Sequence, residues 1–392
     1  MPAINYRELS HMVEGLGLPQ TVTMLGEALE KKELKANDFS LRDLAESLVP
    51  DGREWVRSLN PNKSGGFIQE ASQAVNTAAF SNITGQIAYS AIIEAYTQAG
   101  FIGDQLCTVV PTRFNGEKIP GVSNLGDVAA IVDEGSPYRP AGVAEDYIET
   151  PITTKRGFTV PVTKEAVFFD RTNLVLDRCS KVGEALGINR EKRIIDAVID
   201  HNVTTHRYKW RGGTAQGTYQ STSNADHPWI NIKTSNALVD WTDVDNAEQI
   251  FSGMTDPYTG EPILVIPSVL LCCPELLNAA RRVVNAVEIR FGDGASSTTQ
   301  TVARNPISSY NIVTSPFLKA RLAAASEVTT HWYLGNPKKM VHYMENWPIT
   351  VVSAPSNSES EFRQDIVAEY KASERGATAV VDPRQMVKNT VA

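Results

Sequence analysis

His201 and His206 stand five residues apart in "DAVIDHNVTTHRYKW", with Asp200 just before them and Asp226-His227 further along. Imidazole and carboxylate groups in that mixture are what a zinc-type metal site needs. Two ligands on one helix face call for a spacing of four, and five serves poorly, so these read as ordinary loop and helix-end histidines. His331 and His342 flank Trp332 and Tyr343 and read as lining a core or an interface. Asp133 and Glu134 form an adjacent acid pair. Acid–base chemistry would need both carboxylates on one side, and neighbours along an extended chain face opposite sides. A solvated or intersubunit salt-bridge role is expected for them. "NKSGG" (62–66) has the wrong order for a phosphate cradle and no strand before it. "GDGASS" (292–297) lacks the later oxygen ligands of a calcium loop, and no G-x-S-x-G elbow exposes a serine nucleophile. The chain does not read as an enzyme, and no cofactor is expected.

Composition points the same way. The 392 residues are 42% hydrophobic and 21% charged, an ordinary globular balance with room for two or three structural units. "PILVIPSVLLCC" (262–273) is broken by Pro267 and falls far short of the roughly 20 apolar residues needed to span a bilayer. "MPAINYRELSHMVEG" has no basic stretch followed by an apolar core, so no secretory signal is read. Cys107, Cys179, Cys272 and Cys273 have no metal spacing and are expected to be buried thiols in a reducing compartment. A net charge of −8 argues against a surface built to grip nucleic acid through many phosphates.

The elements follow from periodicity. Residues 1–60 read as short mixed-charge helices, with Ser40 and Asp43 resembling a capping box for "LRDLAESLV" and a second helix in "REWVRSL". "NPNKSGG" (60–66) is a linker, followed by a helical run that Gly85 is expected to interrupt and Gly100 to end. "TVVPTRF" and "EDYIETPITTKRGFTVPVT" alternate as strands around the Gly- and Pro-rich "GDVAAIVDEGSPYRPAGVA", a protrusion that cannot easily bury its own backbone. Asp170 or Thr172 can cap a long helix over 171–200, with Val175, Cys179, Val182 and Leu186 as its stripe, resumed by Ile194 and Val198. Residues 202–235 read as loop with short strands. A helix in "NAEQIFSGM" and buried strands "ILVI" and "VLLCC" follow, then a helix started by Pro274 and a polar loop over 291–306. Strands are expected at "YNIVTS", "HWYLG", "KMVHYM" and "ITVVSA". In "IVAEYKASERGATAVVDP", Ile366, Ala368, Tyr370 and Ala372 share one strand face, Glu369 and Lys371 the other. Ser373–Gly376 is expected to turn the chain into a closing hairpin.

The ordered set resembles one family. "VPTRFNGEKIP", "AAIVDEGSPYRPAGVAEDYIETPITTKRGFTVPVTKEAV" (129–167), "WPITVVSAP" and "IVAEYKASERGATAVVDP" are similar to parts of the major capsid protein of tailed bacteriophages, with the Hong Kong 97 type fold. The resemblance covers roughly residues 66–388 and rests on order rather than on one motif. It implies an α+β fold with an N-terminal helical segment at 1–65, an N-arm at 66–108 and an extended loop at 109–160. A peripheral domain would comprise 161–234 and 346–392 with spine helix 171–200, and an axial domain 235–345.

The implied function is a structural subunit that self-assembles into hexamers and pentamers, forming the icosahedral shell around a double-stranded DNA genome. A cellular nanocompartment shell of the same fold, encapsulin-like and holding an enzyme cargo, is the alternative; a soluble hydrolase or metal enzyme would instead run as a monomer. Ile131, Val132, Asp133, Glu134, Tyr138 and Arg139 would contact a neighbouring subunit. Portal and scaffolding proteins are implied as partners, with a decoration protein besides, packaged DNA as a non-specific neighbour and no membrane. The protein would be made in the host bacterial cytoplasm and reside in the virion. Some relatives cross-link through a loop lysine; here "EGSPYRP" offers Tyr138 and Arg139 and no lysine, and arginine is a poor nucleophile. Residues 1–65 are either a scaffold segment that is removed or an arm that docks, with Trp55 its expected anchor.

Overall fold

The computed structural model describes residues 11–13, 15–16, 20–21, 24, 46, 52–58, 85, 88–98, 100–121, 131–135, 146–163, 174–201, 213–224, 228–256, 260–292, 300–307, 310–354 and 366–391. Helices and strands are mixed along the chain, as an α+β fold requires. In chain order the helices are α1 (Gly52–Ser58), α2 (Gly103–Leu106), α3 (Leu174–Ile199), α4 (Trp241–Ser252), α5 (Leu277–Val284), α6 (Pro316–Ala324) and α7 (Pro337–Met340). The strands are β1 (Thr108–Pro111), β2 (Lys118–Gly121), β3 (Asp146–Glu149), β4 (Thr154–Thr163), β5 (Ile232–Lys233), β6 (Val269–Cys272) and β7 (Glu288–Gly292). They continue as β8 (Gln300–Arg304), β9 (Asn311–Val313), β10 (Trp332–Gly335), β11 (Val341–Ser353), β12 (Ile366–Val380) and β13 (Met386–Asn389).

Two compact units divide the chain. One comprises Met1–Ala99, Lys155–Asn189 and Trp347–Arg375; the other comprises Gly100–Thr154, Arg190–Asn346 and Gly376–Ala392. In the first, helical residues 88–96 bury Ala88, Ala91, Ile92 and Tyr96. Gly183 of α3 lies against this stretch so closely that a Cβ there would sit 2.2 Å from the Ile92 carbonyl oxygen. The glycine is required by backbone-to-backbone contact. Gly85, expected to interrupt a helix, is itself helical and only meets the Tyr370 ring. At about 1.5 Å per residue, the 26 residues of α3 run about 39 Å. Of its expected stripe, Cys179 and Leu186 are buried and Val182 is half-buried.

β12 lies between β4 and β11. Ile366, Ala368, Tyr370 and Ala372 are buried as the alternation requires, while Lys371 is exposed. The Tyr96 hydroxyl donates to Glu374 at 2.6 Å, which satisfies a carboxylate that is itself buried.

The second unit holds a five-stranded sheet in the order β5–β13–β10–β6–β9. β10 is antiparallel to both β13 and β6, whereas β5 pairs with β13 and β9 with β6 in parallel. All four residues of β10 and of β6 are buried, the mark of central strands covered on both faces. Trp332, Tyr333, Leu334, Leu270 and Leu271 form the centre of a core that also takes Ile194, Ile195 and Val198 from α3. α4 starts at a capping box in which Asp240 accepts from Thr242 N at 2.8 Å and Asp243 accepts from Asp240 N at 2.9 Å. Asp196 on α3 takes a two-pronged ion pair from Arg321 on α6, at 2.5 and 2.8 Å.

Several expectations need correction. Residues 366–380 form one unbroken strand, not a hairpin: Gly376 is there because a Cβ would lie 2.7 Å from the Tyr343 ring, not because the chain turns. "ILVI" is outside any strand, with Leu264 83% and Ile266 65% exposed. Pro267 lacks an N–H, and pairing toward β6 begins only at Ser268, whose N–H donates to the Gly335 carbonyl at 3.0 Å. The polar loop over 291–306 contains most of an antiparallel ribbon of β7 with β8. "KMVHYM" and "ITVVSA" belong largely to one strand, β11, with Lys339 and Met340 in α7 before it. Pro348 is tolerated because β1 pairs with His342–Glu345 and no described strand continues along that edge of β11 beyond them. α6 was missed by periodicity, although Ser315 followed by Pro316 is a helix start in the sequence.

The second unit also carries a pH dependence. His331 is buried; its Nδ1 stands 3.1 Å from Glu327 Oε2, and Glu327 Oε1 stands 3.0 Å from the buried Lys388 Nζ. Burial, helped by Lys388, holds the His331 imidazole below its ordinary 6.5 against the opposing pull of Glu327. His342 is shifted the same way by burial. A depressed imidazole means that the unfolded chain protonates first as the pH falls. Stability is therefore full above about 6.5 and is lost as the pH drops through that value toward the folded-state pKa. Thermal melting from about pH 8 to about pH 5 is expected to show a falling midpoint, with a shallower fall in the His331→Gln/His342→Gln double variant. An identical slope in that variant would remove the assignment.

Candidate assembly interface

Asp200 spends its carboxylate on Thr218, accepting from its N at 2.8 Å and from its Oγ1 at 3.2 Å. His206, Asp226 and His227 lie outside the described residues, as do Ser40 and Asp43. Among the described residues no three His, Cys, Asp or Glu gather to hold a metal ion. The four cysteines are free and buried. Burial pushes the Cys107 and Cys272 thiols up to about 12 and those of Cys179 and Cys273 up to about 11, so they carry almost no nucleophilic thiolate near neutral pH. No helix among the described residues is long and apolar enough to cross a membrane.

Of the stretch expected to protrude, the structure describes the two strands at its base, β2 and β3, and residues 131–135. These strands pair antiparallel as a two-stranded ribbon, Lys118 opposite Glu149 through Gly121 opposite Asp146. Ile148 sends its side chain into the core of the second unit, and Lys118 Nζ lies 4.2 Å from the Tyr147 ring centroid. Beyond the ribbon, Ile131 is 98% exposed, Asp133, Glu134 and Gly135 are exposed, and Val132 is half-buried. Tyr138 and Arg139 fall outside the described residues. Trp55 stands in α1, next to the buried Val56; its side chain also lies outside them.

The root of the ribbon is tied tightly, and this periodicity could not show. Thr112 N donates to Glu345 O at 2.8 Å, extending the β1–β11 pairing by one bond. Asn346 Nδ2 then donates to the carbonyls of Thr112 and Phe114, at 3.1 and 3.0 Å. The chain bends at Asn115-Gly116, where Gly116 takes φ +84°. Asn115 Oδ1 accepts from both Thr153 N and Thr153 Oγ1, at 3.1 and 3.0 Å. Thr150 and Glu117 close the ladder with three bonds of 2.8 to 3.0 Å. Phe114 and Ile152 remain well exposed beside this root. Of these residues, only the Asn-Gly pair in "TRFNGE" announces itself in a sequence, as a turn signal.

No curated protein matches the chain. Among solved structures, it is similar to the capsid of a native GTA particle at 10% identity and TM-score 0.46, covering 76% of this chain and 91% of that one. The capsid of the cyanophage P-SCSP1u is similar at 13% identity and TM-score 0.47, covering 76% and 92%. Gordonia phage Cozz is similar at 15% identity and TM-score 0.44, covering 76% and 88%. A family model described as phage capsid protein matches residues 147–389, from the second ribbon strand to the last strand of the central sheet. That is well over half of the sequence, and the chain belongs to the phage capsid protein family.

Proposed function

We propose that this chain is the major capsid protein of a tailed, double-stranded DNA phage, a non-enzymatic subunit with the Hong Kong 97 type shell fold. The observation that carries the reading is the family match over 147–389. It favours a virion shell over a cargo-holding nanocompartment. In this reading the subunits assemble in the host cytoplasm into hexamers and pentamers, with portal and scaffolding proteins as partners and a decoration protein as a further one. The loop residues Ile131–Glu134, with Tyr138 and Arg139, contact a neighbouring subunit, and Trp55 anchors the N-terminal segment. The exposure of Ile131 supports this, because a large apolar side chain left wet on a protrusion gains by being covered. A net charge of −8 suits a wall that repels packed DNA rather than binding it.

Electron-microscope images of particles made by the expressed chain test the reading: uniform closed shells are expected. A subunit that stays monomeric by size-exclusion under all assembly conditions would overturn it. The absence of a loop lysine in "EGSPYRP" gives a further expected result. Boiling mature particles in denaturant should release a single band at the mass of one subunit, with no ladder of multimers. A persistent ladder would point to Lys118, Lys155 or Lys164 as the nucleophile.

A further inference from the structure

We propose that Asn346 and Asn115 are positioning residues that set the direction in which the β2–β3 ribbon leaves its own unit. The inference rests on the reading that the loop on this ribbon reaches a neighbouring subunit. Among the described residues the two-stranded ribbon has no third strand to fix its angle, so its aim is set by Ile148 in the core and by the bonds at the root. There the two asparagines do different chemistry. Asn346 acts as a donor, one NH₂ group bridging the Thr112 and Phe114 carbonyls and so holding the outgoing chain to the end of the β1–β11 pairing. Asn115 acts as an acceptor, its one oxygen holding the N–H and hydroxyl of Thr153 on the returning chain. Outgoing and returning chains are thus each fixed by a side-chain amide close to the Gly116 bend. A contact at the far end of such an arm is sensitive to small changes of angle here, because the displacement grows with the arm's length.

The division of roles supplies the test, since the same near-isosteric change has opposite consequences at the two positions. Asn115→Asp keeps an acceptor facing Thr153. Asn346→Asp replaces a donor with a carboxylate facing two carbonyl oxygens, and the clamp is lost. With the full chain, Asn115→Asp is expected to assemble like the parent. Asn346→Asp is expected to give subunits that melt within a few degrees of the parent, with the yield of uniform closed shells reduced about tenfold or more, a tenfold change being only about 1.4 kcal/mol in a contact. Sedimentation and particle images read the yield, and thermal melting reads the fold. If Asn346→Asp does not stay soluble, Asn115→Ala against Asn115→Asp asks the same question at the other clamp, with loss expected only for alanine. Parental shells from Asn346→Asp, or equal losses from both Asn115 variants, would overturn the proposal. A variant lacking residues 134–142 separates it from the reading beneath: normal shells from that deletion sink the intersubunit role of the loop. No shells from the deletion together with parental shells from Asn346→Asp sink only the positioning role.

Discussion

Deleting residues 134–142 is expected to leave a soluble, folded subunit and to abolish closed shells. The fold should survive because the described part of the ribbon is held from its root and by its buried isoleucine. Ile148 is held in the core of the second unit, and the root is closed by bonds among Asn115, Glu117, Thr150 and Thr153. The deletion lies beyond all of these. Assembly should fail because the deletion cuts short the loop that presents the exposed Ile131 and Asp133. Ile131, almost wholly exposed, would gain roughly 1.5–3 kcal/mol if covered by another subunit. Two or three kcal/mol per contact is already some 30- to 140-fold in affinity, and a shell repeats the contact at every subunit. Gel filtration and melting of the deleted subunit, beside particle counts, check both halves. Normal particles would show that the loop is not an assembly contact.

How far the sequence foretold these features depended on what set each one. Where burial sets the pattern, the residues announce it: the alternation of Ile366, Ala368, Tyr370 and Ala372, and the apolar run in "VLLCC", are both met in the structure. Where a glycine serves a close approach rather than a turn, it misleads. Gly376 looks like a turn residue and is required by the Tyr343 ring; Gly183 looks like a helix weakness and is required by the Ile92 backbone. The "ILVI" segment failed for a related reason, since apolar content says nothing of where a ladder can start, and Pro267 decides that. The ribbon of β7 with β8 failed because its alternation, Glu288-Ile289-Arg290-Phe291, is only four residues long and runs straight into a Gly- and Ser-rich stretch. In the candidate interface, the exposed Ile131 and the clamp of Asn115 on Thr153 lay within stretches that the sequence singled out, but Asn346 did not. Asn346 is 232 residues from Phe114, whose carbonyl it holds, and no local pattern joins groups that meet only through folding.

The second large effect is expected at Gly335, where Gly335→Ala should prevent the second unit from folding stably. This residue ends β10, the strand paired on both sides, opposite Met386 of β13 and Val269 of β6. Its φ of +148° belongs to a backbone region that only glycine enters without strain. A Cβ there would lie 2.1 Å from the Gln385 carbonyl oxygen and 2.8 Å from Met386 Cα. Neither is the movable end of a side chain, so the methyl can be admitted only by moving β13 off β10. That movement breaks the bond from Asn336 N to Gln385 O, now 2.8 Å, and disturbs the one from Ser268 N to Gly335 O on the other side. It also uncovers Trp332, Tyr333 and Leu334, which are fully buried between the neighbouring strands. Strain of about 1–3 kcal/mol, lost hydrogen bonds of about 1 kcal/mol each and opened core packing together exceed about 4 kcal/mol, against a total stability on the order of 5–15 kcal/mol. Insoluble chain, or a melting midpoint lowered by well over ten degrees, is the expected result. Gly253→Ala is the control: its Cβ would meet only the Ile250 carbonyl oxygen at an ordinary 3.5 Å, and its midpoint should stay within a few degrees. A Gly335→Ala protein that melts with the parent would mean that β13 can give way at this point, and that the sheet is held elsewhere than at the β10–β13 seam.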